Sequence, residues 1–180
     1  TPTLDIALNT AGLNVGDIVH LYDNGVEVGT ATLTADDIAA GKVSITTSTL
    51  ADGVHPLTAK VSDSNGTLSS GSAPLSVTVV TAPPTAPAAP DLAAASDTGV
   101  SNTDNNTAIN TPTFTGTGNP GDTISLYVDG VLAGTGIVDA NGNYSIAVAT
   151  PIADGPHGIT SQATNAAGLT GAMSGSLSVT

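Results

Sequence analysis

The chain has no cysteine, no tryptophan and no arginine, and its only cations are Lys42 and Lys60. Without cysteine, no disulfide staples the fold, and the absence is as compatible with a secreted bacterial protein as with a cytosolic one. Fifteen acids against those two lysines leave a net charge of −13. That excludes nucleic acid as a partner, because phosphate neutralisation requires Lys and Arg. It also disfavours anionic lipid surfaces. No apolar run approaches the eighteen or so residues of a membrane helix, so direct membrane insertion is not expected. Aromatics are scarce: Phe114, Tyr22, Tyr127 and Tyr144. A core therefore has to be built from Val, Ile, Leu and Ala, and small domains of that kind are marginal without some further staple.

What is present is one unit written twice. Gly16-Asp17-Ile18-Val19-His20-Leu21-Tyr22 returns as Gly121-Asp122-Thr123-Ile124-Ser125-Leu126-Tyr127 at an offset of 105. Leu50-Ala51-Asp52-Gly53-Val54-His55 returns as Ile152-Ala153-Asp154-Gly155-Pro156-His157, and Leu75-Ser76-Val77-Thr78 as Leu177-Ser178-Val179-Thr180, both at 102. A period near one hundred suits whole domains in tandem and is too long for a solenoid repeat.

The local pattern is all-β. In the second copy, Thr113–Thr117, Thr123–Val128, Val131–Val138, Tyr144–Val148, Gly158–Thr164 and Ser174–Thr180 are short alternating runs rich in Thr, Val and Ile. Turn formers separate them: Asn119-Pro120-Gly121, Asp129-Gly130, Asn141-Gly142, Asp154-Gly155 and Ala167-Gly168. With a further strand near Asp91–Ala95, about seven strands in some ninety residues predict an Ig-like sandwich by architecture, without the antibody Cys and Trp pins. The expected organisation is two tandem Ig-like β-sandwich domains, 1–81 and 91–180, joined by a Pro-rich linker at 82–90. Four prolines between Thr81 and Pro90 favour polyproline II, a semi-rigid spacer.

The first copy departs from the second in three ways. Asn9–Gly16 replaces the tight Gly118–Gly121 turn, and Asp36–Gly41 is an insertion that predicts a helical turn. Thr1-Pro2-Thr3-Leu4 matches Thr111-Pro112-Thr113-Phe114, so nothing in the first copy corresponds to residues 91–110, and its first strand is expected either to have been cut off or to come from upstream.

The segment from Asp91 to Thr107 holds the sharpest chemistry. Asp91, Asp97 and Asp104 stand among amide and hydroxyl side chains with no basic residue nearby, an all-oxygen set suited to a hard cation such as Ca²⁺. The plainer reading of the same residues is that Asp97 and Asp104 cap turns in a solvated loop. Two other strings are decoys. Gly116-Thr117-Gly118-Asn119-Pro120-Gly121 fits a dinucleotide fingerprint but opens a strand and contains proline, so it is read as a hairpin turn. Asp139-Ala140-Asn141-Gly142-Asn143 mimics an EF-hand start, but its glycine is two places early and Thr150 stands where the bidentate Glu belongs. His55 and His157 occupy equivalent positions beside Asp-Gly turns and are read as scaffold, with His20 alone. No H-E-x-x-H or G-x-S-x-G motif occurs, and the chain is not expected to be an enzyme.

The combination of Ser96-Asp97-Thr98-Gly99, Asp104-Asn105-Asn106-Thr107, Thr111-Pro112-Thr113-Phe114-Thr115-Gly116 and Gly142-Asn143-Tyr144-Ser145 resembles the bacterial Ig-like repeats of giant RTX-type and biofilm-associated surface adhesins. The first copy, with Leu4-Asp5-Ile6-Ala7-Leu8 and Leu50-Ala51-Asp52-Gly53, resembles a sister subtype. The resemblance implies an extracellular, cell-surface protein exported by a type I system. Its domains form a stalk with neighbouring Ig-like domains of the same chain as partners, supporting adhesion and biofilm formation, and Ca²⁺ stiffens the junctions. Matched residue by residue, it assigns metal binding to Asp97 and Asp104 first, with Asp91 and Asp154 as partners. In a seven-strand sandwich, Asp97, Asp104, Asp129 and Asp154 are expected at one pole, while Asp91, Asp122 and Asp139 are expected to face Asp23 and Asp52 of the first copy, so Asp129 and Asp139 complete the candidate metal ligands. Two alternatives stay open at this point: a sugar- or peptide-binding module of such an adhesin, and an accessory domain of a secreted enzyme.

Overall fold

The computed structural model describes residues 1–180, which form two compact units, Thr1–Val80 and Thr81–Thr180. The first contains β1 (Thr3–Ala7), β2 (Ile18–Asp23), β3 (Val26–Thr32), α1 (Ala35–Ala40), β4 (Lys42–Thr46), β5 (Gly53–Ser62) and β6 (Leu75–Val79). The second contains β7 (Asp91–Leu92), β8 (Thr113–Thr117), β9 (Thr123–Val128), β10 (Val131–Ile137), β11 (Asn143–Ala147), β12 (His157–Thr164), β13 (Thr170–Met173) and β14 (Leu177–Val179). Each unit has two antiparallel sheets. In the first these are β1-β4 and β3-β2-β5-β6; in the second they are β11-β8-β7 and β10-β9-β12, with β13 and β14 pairing successive parts of β12. No helix is long and apolar enough to cross a membrane.

Alternation decides which face of each strand is buried. Val43 and Ile45 of β4 and their counterparts Tyr144 and Ile146 of β11 point inward between exposed neighbours. They meet Val19 and Leu21 in the first unit, and Ile124 and Leu126 in the second. Asn24-Gly25 and Asp129-Gly130 close equivalent hairpins with positive φ at both central residues (47° and 83°, 50° and 80°), the mirror-image turn that follows strand twist.

Both copies carry a bulge at the same place, at Leu21/Tyr22 in the first and near Leu132/Gly134 in the second. The glycine beyond each bulge is required by close approach of the facing strand. A Cβ on Gly29 would lie 2.7 Å from Ile45 Cγ2, and one on Gly134 2.8 Å from Ile146 Cγ2, so no larger residue fits without displacing the core.

The helical turn read into the first copy's insertion is α1, capped by reciprocal bonds between Thr34 and Asp37 and ended by Gly41 at φ 67°. Three expectations need correction. The strand near Asp91–Ala95 is only two residues long, because the chain turns at Ala93, whose carbonyl accepts from the Ser96 and Asp97 amides. The final run, Ser174–Thr180, holds only β14, while β13 precedes it. At the break between them the Ser174 hydroxyl takes the Ser161 N–H at 2.8 Å, so a side chain replaces a ladder carbonyl. The segment 82–90, read as a spacer, is packed within the second unit. Pro87 and Pro90 are buried, and the Ala82 carbonyl accepts from Asn165 Nδ2 at 3.2 Å. Polyproline needs no ladder partners, so its rings can serve as core side chains along a sandwich edge.

Candidate metal site

The loop between β7 and β8 brings Asp97 and Asp104 together. Its base is fixed by Ser96, whose Oγ accepts from Thr113 N at 3.0 Å and whose carbonyl accepts from Thr107 Oγ1 at 2.5 Å. Thr98 and Gly99 both donate their amides to the Asn106 carbonyl, and Asn105, at φ 59°, turns the chain back. Its carbonyl receives the Thr180 amide, while Thr107 N donates to the Thr180 carbonyl. The loop is thereby tied to the end of the second unit's core sheet.

Within this frame the two carboxylates are unequally satisfied. Asp104 Oδ2 accepts from Val100 N (2.9 Å) and Ser101 N (3.1 Å), and Oδ1 from Asn106 N (3.1 Å). The Ser101 amide first, then the Asn106 and Val100 amides, hold its carboxyl below the usual carboxylate range. Asp97 is 6 % exposed, and its Oδ2 accepts from Asn105 N at 3.1 Å. Its Oδ1 is sealed from solvent and has no hydrogen-bond partner. A buried carboxylate oxygen left empty is costly, and a cation beside it would remove that cost. Gly99 is fixed by this geometry, because a Cβ there would come within 2.5 Å of Asp104 Oδ1.

The other predicted ligands go elsewhere. No third Asp, Glu or His joins Asp97 and Asp104 in a cluster. Asp91 lies exposed on β7, in register with Thr115. Asp139 Oδ1 caps a turn, accepting from Asn141 N (2.8 Å) and Asn143 N (2.9 Å), so the EF-hand look-alike is the turn it was read as. Asp154 is exposed in the turn before β12. Asp129 Oδ2 accepts from His157 Nδ1 at 2.6 Å, and its Oδ1 accepts from Gly158 N at 2.8 Å.

This last contact belongs to a feature the sequence reading passed over as scaffold. In both units an imidazole bridges two acceptors: His55 Nδ1 to Asp23 Oδ2 (2.6 Å) and Nε2 to the Ala51 carbonyl (2.9 Å), His157 likewise to Asp129 and the Ala153 carbonyl (2.6 and 2.9 Å). Carboxylate and carbonyl both only accept, so the ring must carry both protons to satisfy them. The aspartate first and the carbonyl second raise both histidines above their ordinary pKa of 6.5. Stability from the bridges is therefore fully present below the unfolded-state value and is lost as pH rises through the folded one. His157 in turn lowers the Asp129 carboxyl below 3.8, so at the acid end the contribution falls away as pH drops through that lowered value. We expect the melting temperature to fall as pH rises above the ordinary histidine value of 6.5, and the double variant His55→Gln/His157→Gln to flatten the profile. An unchanged slope in the variant would show the bridges to be energetically idle. His20 is not alone either: its Nδ1 meets Glu27 at 2.6 Å and its Nε2 meets Ser62 at 3.0 Å.

The duplicated antiparallel sandwiches, with almost no helix and no antibody-type disulfide, place the protein among the Ig-like β-sandwiches. The chain belongs to the bacterial Ig-like domain family, whose model matches residues 83–180, more than half its length. Among solved structures it is similar to the fibronectin(III)-like modules of Clostridium thermocellum CbhA, at 19 % identity over 98 % of this chain and 84 % of that one, TM-score 0.45. It is also similar to a Ca²⁺-stabilised adhesin with which an Antarctic bacterium binds ice (24 % identity, 99 % and 48 % coverage, TM-score 0.39). A 1.5-MDa bacterial ice-binding adhesin gives 26 % identity, 93 % and 53 % coverage and TM-score 0.39. The chain spans about half the length of these two adhesin chains. No curated protein matches it.

Proposed function

We propose that this chain is a piece of the stalk of a bacterial cell-surface adhesin, in which tandem Ig-like units act as spacers that support adhesion and biofilm formation, with calcium stiffening them. The observation that carries it is the buried, unpartnered Oδ1 of Asp97 beside Asp104, set in one of two copies of a single sandwich. Asp97 and Asp104 would hold the ion, and an ion there would supply the positive charge that lets two adjoining carboxylates coexist in a loop with no basic side chain. Its effect would be mechanical: the loop from Asp97 to Asn106 and the Thr180 strand end it grips would be pinned together. The partners are neighbouring Ig-like domains of the same chain, the location is the extracellular bacterial surface, and no residue is given a catalytic role.

A stalk unit bears load along its chain, and an ion at Asp97 and Asp104 should make the second unit harder to pull apart. Stretching the chain from its two ends is expected to give one unfolding event per unit, with the second unit's event at higher force in Ca²⁺ than in EDTA. Equal forces in the two conditions would overturn the calcium-stiffened spacer reading.

A further inference from the structure

In the second unit a pair of backbone bonds joins the end of the last strand to the loop between β7 and β8. Thr180 N donates to the Asn105 carbonyl at 3.0 Å, and Thr107 N donates to the Thr180 carbonyl at 2.8 Å. One residue bonded in this way to both neighbours of Asn106 is the repeat of a parallel ladder, so Asn105–Thr107 runs in the same direction as β14. On its other side β14 is antiparallel to β12, with Leu177 opposite Ile159 and Val179 opposite His157. Beyond the last of those pairs, Thr180 is held by its two bonds to the loop.

Asn105–Thr107 is fixed in turn to the chain that enters the unit. Asp97 Oδ2 accepts from Asn105 N at 3.1 Å, Thr107 Oγ1 donates to the Ser96 carbonyl, and the Thr98 and Gly99 amides both donate to the Asn106 carbonyl. The chain from residue 81 reaches this point along the edge of the fold. The Pro84 carbonyl lies against Gly171, Ala89 against Gly175, and the two residues of β7 pair β8 alone. A continuous route therefore connects residue 81 to Thr180: along the backbone to Ser96 and Asp97, across to Asn105–Thr107, and across again to Thr180. Phe114, Ile124, Leu126 and Ile146, at the centre of the core, are not on it.

We propose that this route is a shear clamp, in which the Asn106–Thr180 bridge and its cross-links to Ser96 and Asp97, and not the core, set the force at which the second unit opens. Tension draws Ser96 and Asp97 back toward residue 81 and Thr180 the opposite way. Because the bridged segments are parallel, those pulls slide one past the other, and the bonds between them are strained together. Bonds in an antiparallel pair opened from one end yield one after another, each at a lower force. Forced unfolding is governed by the rate of crossing the barrier, so only interactions broken on the way to it raise the force. Core packing, lost afterwards, contributes to equilibrium stability instead. The use of such a clamp rests on the stalk reading above, but its bonds come from backbone, hydroxyl and carboxylate groups and need no ion.

The test pulls the full chain from its two ends at constant force in EDTA, the second unit being recognised by its longer length increment, Thr81–Thr180 against Thr1–Val80. Thr180→Pro removes the N–H given to Asn105, and Thr107→Val removes the hydroxyl that holds the Ser96 carbonyl; both leave Asp97, Asp104 and the core in place. Each is expected to raise the rupture rate of the second unit about fivefold or more, the effect of one hydrogen bond lost from the barrier. Ile146→Val, which deletes one buried methylene away from the clamp, should lower the denaturant midpoint about as much but leave the rupture rate within about twofold. Unchanged rupture in both clamp variants overturns the proposal, as does a core variant that speeds rupture as much as they do. Should Thr180→Pro disturb the end of β14, Thr107→Val decides alone. Repeating the unsubstituted chain in Ca²⁺ keeps the two readings apart. A calcium-independent force with sensitive clamp variants removes the metal and upholds the clamp, whereas a calcium-dependent force with silent clamp variants overturns the clamp alone.

Discussion

Calcium added to the EDTA-treated chain raises the melting temperature of the second unit, and Asp97→Asn removes most of that rise. A ligand at about a hundred times its dissociation constant stabilises the state that binds it by about 2.7 kcal/mol. At about 4–8 °C per kcal/mol for a domain of 60–100 residues, a shift of about 10–20 °C is expected. The asparagine keeps the shape and the acceptor for Asn105 N but removes the charge beside Asp104. In EDTA the substitution should therefore be neutral or mildly stabilising, and in Ca²⁺ destabilising. That reversal of sign separates a metal site from a turn cap. Asp139→Asn, by contrast, weakens a turn and should act equally in both conditions. Scanning calorimetry of the three proteins decides the matter: identical melts with and without calcium would remove the metal from the proposed function.

Phe114→Ala should be the most damaging single substitution in the chain. Phe114 is the one phenylalanine, fully buried where β7, β8 and β11 meet the opposite sheet. Emptying such a site costs about 3–5 kcal/mol, transfer and cavity together, a large share of a small domain's stability. Leu4→Ala, at the equivalent position, should cost less than about 2 kcal/mol, because Leu4 is already part-exposed beside an unpaired edge. Denaturant titration followed by residue-resolved amide signals gives each unit its own midpoint. Equal losses at the two positions would mean that Leu4 is as well packed as Phe114.

The positions of most strands were legible because a half-buried strand writes its alternation into the sequence and a two-residue hairpin demands residues that tolerate positive φ. Val43 and Ile45, Tyr144 and Ile146, and the Asn24-Gly25 and Asp129-Gly130 turns follow from those two local rules. Duplication also exposed what the first copy lacks, since residues 91–110 have no counterpart there. The pairing of Asp97 with Asp104 was legible for a related reason: they lie in one loop, seven residues apart in a run without cations.

The rest depended on contacts that no local pattern records. Six acids could be named as ligands, but an aspartate reads the same whether it faces a metal, a turn amide or an imidazole. Only the fold sent Asp129 to His157 and left Asp97 Oδ1 without a partner. Proline at 83, 84, 87 and 90 specifies backbone shape alone; burial of Pro87 and Pro90 required a sandwich edge for them to lie along. The sequence by itself thus determined strand identity, turn geometry and internal repetition, all of which arise from interactions within a few residues. Tertiary structure decided partners, because hydrogen bonds and packing between residues as far apart as Ala82 and Asn165 depend on where the chain returns.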